Sequence, residues 1–190
     1  MPVAKGSPLD PARTRAALLS AATSVFYERG LDGVGVAELC AVTGASKETL
    51  YRHFGSKDGL IEAVLQERSD RVTRWLSEAA EAAGPDPAAR LAAVFDALAS
   101  WHGEPEFRGC AILNAATQHH QPPEQAVAAR HLDRRLALLT GIARDAGSAV
   151  PDTLARQWLM LITGATVMAD HHPGTRDAAL LAKEAALALL

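Results

Sequence analysis

Three features of the amino-acid sequence predict an all-α fold. Nearly half of the residues are hydrophobic, and Ala and Leu rather than aromatics carry that content; both lose little freedom in a helix. Apolar residues recur at spacings of three and four, and no β-branched run alternates with period two. Gly, Pro and capping residues punctuate the chain between these periodic runs.

The elements follow in order. Residues 1–9, with Pro2, Gly6 and Pro8, read as a disordered arm. Asp10-Pro11 is a helix start, because Asp accepts from orphan amides and Pro suits the first turn. The first helix runs to about Arg29, with Leu18, Ala22, Val25 and Phe26 on one face, and Gly30 ends it. A second spans about Val36 to Val42 behind Gly35, a weak N-cap. Gly44 supplies the left-handed turn. Ser46 caps a third, Lys47 to Phe54, and Ser56 caps a fourth, Lys57 to Ala83.

That fourth helix has a buried stripe of Leu60, Ile61, Val64, Leu65, Val72, Trp75 and Leu76, which Arg68 interrupts, so part of it is expected to be solvated. Gly84-Pro85-Asp86-Pro87 is the clearest break. Five helices follow, over about 88–101, 110–119, 124–146, 151–170 and 176–190. About nine helices result. The expected organisation is an N-terminal unit over 1–56, a connecting helix over 57–84 and a third region over 85–190.

Net charge is −3, but it is unevenly spread. Residues 1–60 hold seven Lys and Arg against six Asp and Glu; residues 61–190 hold twelve against sixteen. Only the first part suits an anionic partner. The two cysteines, Cys40 and Cys110, make no disulfide framework and fit a reduced, cytoplasmic setting. The N-terminus lacks the apolar core of a signal peptide, and no segment has about 18 consecutive apolar residues, so no membrane is expected.

The stretch GVAELCAVTGASKETLYRHFGSK, residues 35–57, carries the function. It has the outline of a helix-turn-helix, whose second helix can enter the major groove of DNA. At 100° per residue, Leu50 and Phe54 share one face and should dock inward. Lys47, Glu48, Thr49, Tyr51 and Arg52 are then presented outward. Lys and Arg pair phosphate or guanine; Thr and Tyr donate to phosphate or touch a thymine methyl. Lys57 and the free amides of the fourth helix could share one phosphate. Glu48 reads a cytosine amine or faces away. The bland alternative is a solvated charged helix in an ordinary bundle.

Residues 11–65 resemble the N-terminal domain of TetR-family transcriptional repressors, through AALLSAATSVFYERGLDGVGVAELCAVTGASKETLYRHFGSKDGLIEAVL with its glycine, Leu-Tyr, His-Phe and Ser56-Lys57 landmarks. Gly35 stands where Thr is usual and Cys40 where Ala is common. The resemblance implies groove contacts from Lys47, Glu48 and Thr49, and phosphate contacts from Tyr51, Arg52, His53 and Lys57. It implies a bacterial homodimer formed by the last two helices, bound to a palindromic operator, with a cavity for a small-molecule effector in the region 85–190. FRGCAILNAA, residues 107–116, resembles a segment of one branch of the family. The apolar surface of the last two helices independently favours a partner copy. A repressor released by ligand is the expected mode; an activator of the same family, or a protein-interaction module, is the alternative.

Trp75, Phe95, Trp101, Phe107 and Trp158, with Cys110, are candidate ligand contacts, the other reading being plain core. The scarcity of charge at interior positions points to a neutral or weakly polar ligand. Cys110 beside Arg108 could be a redox sensor, but with no partner thiol nearby in sequence it reads as packing, like Cys40. His119-His120 and His171-His172 sit at helix ends; adjacent histidines point about 100° apart and chelate poorly. Neither a metal nor a cofactor is called for. GxSxG, HExxH and P-loop patterns are missing, so no enzyme is expected.

Overall fold

A computed structural model describes residues 11–31, 33–172, 174–175 and 177–190. Among them are nine helices and no strand: α1 (Pro11–Arg29), α2 (Val36–Thr43), α3 (Lys47–Phe54), α4 (Lys57–Ala82), α5 (Pro87–His102), α6 (Ala111–His119), α7 (Pro122–Asp145), α8 (Pro151–His171) and α9 (Ala178–Leu187). Asp10 and the arm before it, Pro173 and Arg176 lie outside the described residues. The last helix is shorter than its apolar run: α9 stops at Leu187, three residues before the end.

The chain divides into two compact units, Met1–Glu67 and Arg68–Leu190, and the division falls inside α4. The first unit is built on Leu18, Leu19, Ala22 and Phe26 of α1, Leu39 of α2, Leu50 of α3, and Leu60, Ile61, Val64 and Leu65 of α4, all buried. Gly44 takes φ 67°, the left-handed conformation expected of the α2–α3 turn. Arg29 pairs with Glu38, joining α1 to α2.

The second unit packs α5, α7, α8 and α9 with the C-terminal part of α4 around Trp158, Phe95, Leu91, Leu98, Leu139 and Ile142. Asp86 caps α5, its Oδ2 accepting from the Ala89 amide at 3.0 Å, and Pro87 fills the first turn. Trp158 is fully buried on α8, and its Nε1 donates to the Ala186 carbonyl at 3.0 Å, which fixes α9 against α8.

The α4 stripe does not break at Arg68 as the sequence suggests. It runs on through Ser69, which is fully buried. A serine keeps the helical register of the stripe while adding a hydroxyl that must find a partner. That partner is a histidine of α7, described below.

Candidate nucleic-acid interface and regulatory interior

Helix α3 is set by two local devices. The Ser46 hydroxyl accepts from the Thr49 amide at 3.1 Å, capping its N-terminus. Leu50 is fully buried and pins one face to the unit's core. Phe54 is half-buried beneath the Arg15 guanidinium, 5.2 Å from the ring centre.

With that face fixed, Lys47, Glu48, Tyr51 and Arg52 are exposed and Thr49 is half-exposed. Their mutual contacts are the weak ones of a solvated surface. Arg52 donates to Glu48 at 2.7 Å, an exposed i,i+4 pair worth a few tenths of a kcal/mol. The Lys47 ammonium lies 5.5 Å from the Tyr51 ring centre. Neither contact locks its side chain, so both cations are available to an incoming polyanion. Arg52 pairs with Glu48 on its own helix, which leaves Glu48 partly neutralised rather than opposing phosphate. His53 is half-buried beside Phe54.

Lys57 is placed differently from a free ammonium. Its Nζ donates to the Leu31 carbonyl at 2.8 Å, tying α4 to the segment that follows α1. Among the described residues that hydrogen bond uses one of its three protons, which leaves two to offer an anion. The α3–α4 corner is tight. Ser56 Oγ accepts from the Gly59 amide at 3.0 Å, and a Cβ at Gly59 would lie 2.0 Å from the Phe54 carbonyl oxygen. On propensity alone a glycine weakens a helix; at Gly59 this backbone approach is what requires it.

The candidate ligand residues scatter. Phe95 and Trp158 are fully buried in the packed core. Trp75 and Trp101 meet edge-on at 6.3 Å between ring centres and border a groove of about 520 Å³ with Arg71, Ala97 and Glu104. Phe107 packs edge-on against Trp101 at 4.7 Å. Cys110 is buried and borders a small space of about 30 Å³. A further groove of about 1150 Å³ is lined by α6, α7 and α8, and none of the six candidates borders it. Its walls include Leu113, Ala128, Leu132, Leu159, Met160 and Val167.

The interior is also more charged than sequence reasoning expects. Ser69 Oγ and His131 Nδ1 are 2.9 Å apart, and His131 Nε2 is 3.8 Å from Cys110 Sγ. Arg135, one turn beyond His131 on α7, is 3% exposed. On α5, His102 Nε2 lies 3.3 Å from Thr166 Oγ1 of α8. Burial, reinforced by the Arg135 charge, lowers His102 to about 4 and, with Arg134 as well, His131 to about 3. Both histidines are therefore neutral near pH 7. Burial likewise lowers Arg135, with Cys110 acting in the opposite sense. The signal was present: Val127, His131, Arg135 and Leu139 recur every four residues, so two polar residues occupy an inward stripe. His119 Nδ1 lies 3.6 Å from the buried Glu124, and among the described residues no group of three or more His, Cys, Asp or Glu is placed to hold a metal ion.

Comparison with known proteins bears on these two sites. Residues 18–64, spanning most of α1 through the first turns of α4, match the family profile of bacterial regulatory proteins, tetR family. The chain is 30% identical to a putative TetR transcriptional regulator of Streptomyces avermitilis, covering 90% of this chain and 98% of that one, with a TM-score of 0.71. This chain belongs to the TetR family. The crystal structure of SCO4454, a TetR-family transcriptional regulator from Streptomyces coelicolor, superposes with a TM-score of 0.84 at 29% identity, covering 93% and 95% of the two chains. An HTH-type transcriptional repressor of Mycobacterium tuberculosis, Rv3405c, is 39% identical over 67 residues. The match takes in 35% of this TetR-family chain and 36% of the repressor, so the likeness to such curated relatives spans about a third of their length. No helix among the described residues is long and apolar enough to cross a membrane.

Proposed function

We propose that this protein is a homodimeric, sequence-specific DNA-binding regulator of the cytoplasm, a repressor released from a palindromic operator by a small molecule. The observation that carries the proposal is the geometry of α3. A capped, eight-residue helix is pinned by Leu50 and turns Lys47, Glu48, Thr49, Tyr51 and Arg52 to solvent, inside the stretch that matches the family. Lys47, Glu48 and Thr49, in the first turn, meet base edges. Tyr51, Arg52, His53 and Lys57 meet backbone phosphates.

The partner copy is supported by exposed apolar side chains on the last two helices. Met160 is 66% and Leu181 58% exposed, with Val167, Met168 and Leu180 also uncovered. A second copy presenting the same face would cover them. Met160→Glu together with Leu181→Glu should convert the dimer to a monomer by light scattering. A double variant that stays dimeric at micromolar concentration would move the interface elsewhere.

Release rests on population shift: an effector held in residues 85–190 must prefer the DNA-incompetent state. Helix α4 is the continuous element shared by both units, and its tilt would alter the spacing of two α3 helices on one duplex. A regulator of this kind that activates transcription would use the same α3 contacts.

Titration with DNA from the gene's own upstream region, across a salt series, tests the proposal. Binding should prefer that sequence and fall steeply with salt. Lys57→Ala should weaken binding to all sequences alike and reduce the salt slope by about one. Tyr51→Ala should weaken all sequences with little change in slope, since no charge is lost. Lys47→Ala or Thr49→Ala should relax sequence preference by about 1–3 kcal/mol. Equal losses on specific and random DNA for all four would contradict these roles.

A further inference from the structure

Arg135 is the residue that the regulator reading leaves unexplained. It is 3% exposed, it lies on the inward stripe of α7, and its Nε has no hydrogen-bond partner among the described residues. Among the described residues no carboxylate forms an ion pair with it. His131 and His102 are uncharged, and Arg134 already pairs with Asp70. A guanidinium held away from water without an anion is costly, and interiors normally avoid it by pairing.

Arg135 borders the 30 Å³ space, together with Cys110, Asn114, Thr163 and Thr166. That volume accepts about two water-sized atoms, which is the size of the two oxygens of one carboxylate. The space is not isolated. It shares Leu113, Asn114, Thr163 and Val167 as walls with the 1150 Å³ groove between α6, α7 and α8. The larger groove is predominantly apolar. Asp170 also borders the small space, but its carboxylate lies against Gly109 and 3.7 Å from His171 Nε2, and no ion pair joins it to Arg135.

We propose that the effector is a monocarboxylic acid with an apolar body: the body lies in the α6–α7–α8 groove and the carboxylate enters the inner space to pair with Arg135. This rests on the reading of residues 85–190 as ligand-responsive, and it names the chemistry of that ligand. A guanidinium presents two parallel N–H donors that match a carboxylate's two oxygens. The apolar walls recognise the remainder by burial, without further polar demands. Met160 and Val167 lie where the groove meets the exposed face of α8, so a second copy on that face would close its outer side. The acid reverses the expectation of a neutral ligand. That expectation counted charges along the sequence, whereas Arg135 is buried only because α7 packs with its inward stripe against α4, α6 and α8.

The test compares octanoate with octan-1-ol, matched in length and differing in charge. Titrations follow tryptophan fluorescence and calorimetry on the full-length protein near pH 7.5. Octanoate should bind about tenfold or more tightly than the alcohol, the gain of a hydrogen bond to a charged group. Arg135→Met should erase that preference, bringing the two affinities within about twofold. It should also keep or raise the melting temperature without ligand, because it removes an unpaired buried charge; a purely structural arginine would lower it. Asp170→Asn should leave or increase octanoate affinity. Equal binding of acid and alcohol by the unaltered protein, or an acid preference that survives Arg135→Met, would overturn the proposal. The DNA titration separates the two readings. Sequence-preferring DNA binding without acid preference removes this site and keeps the regulator. Arg135-dependent acid preference without DNA binding keeps the site and removes the regulator.

Discussion

Replacing Gly59 with Ala should destabilise the DNA-binding unit by at least about 3 kcal/mol, the scale of a strong overpacking effect. Helix propensity alone argues the opposite. Gly in a helix is about 1 kcal/mol worse than Ala, so the substitution would be expected to help. The steric term is larger. An added Cβ would lie 2.0 Å from the Phe54 carbonyl oxygen, which is backbone at the end of α3 and cannot rotate aside. To make room, α4 must move away from α3. That motion breaks the Ser56–Gly59 cap and the Lys57–Leu31 hydrogen bond. Thermal unfolding followed by circular dichroism, with DNA titration alongside, measures both consequences. A matched control is Gly141→Ala in α7, where an added Cβ meets nothing within 4 Å. That change should be neutral or stabilising by up to about 1 kcal/mol. A rise in melting temperature for Gly59→Ala would show that the α3–α4 corner is not as tight as described.

Acid should begin to destabilise the second unit well above the range of ordinary carboxylate titration. In the folded chain His102 and His131 are held at about 4 and about 3, chiefly by burial and then by the Arg135 charge. In the unfolded chain each returns to an ordinary value near 6.5. The folded values are depressed, so above pH 6.5 both states are neutral and stability is unaffected. As pH falls below 6.5 the unfolded chain takes up protons that the native state refuses. Each histidine then removes about 1.4 kcal/mol per pH unit, His102 down to about 4 and His131 down to about 3. By pH 4.5 the pair has removed about 5 kcal/mol, comparable to the whole stability of many domains. Denaturant midpoints at pH 7.5, 6 and 5 measure the slope. His131→Gln should flatten it, since an amide can still meet Ser69 Oγ and does not titrate. Midpoints that stay level between pH 7.5 and 5 would mean that these histidines open to water in solution.

The helices were legible because their causes are local. Ser46 and Ser56 cap where the sequence places them, and Pro151 opens its helix. Leu50 faces inward because it shares a helical face with Phe54. These are effects within four or five residues, and one sequence contains all the information they need. The outward set of α3 follows from the same rotation, once its buried face is known.

Gly59 shows where that reasoning stops. The residue type was visible, but the oxygen it must avoid is placed by the α3–α4 corner. Arg68 shows the same limit in reverse: it looked like a break in the α4 stripe because the next inward position, Ser69, is polar. Its satisfaction depends on His131, 62 residues away.

The amino-acid order alone settled that the chain is helical, roughly where most of its helices lie, and which side of α3 meets solvent. Periodicity, caps and turns are properties of neighbouring residues. Tertiary structure alone decided which side chains share an interior. Ser69, His102, Cys110, His131, Arg135 and Thr166 come from five segments, and only packing brings them to one place. Removal from water, rather than residue type, keeps the histidines neutral and makes the guanidinium of Arg135 a demand for an anion.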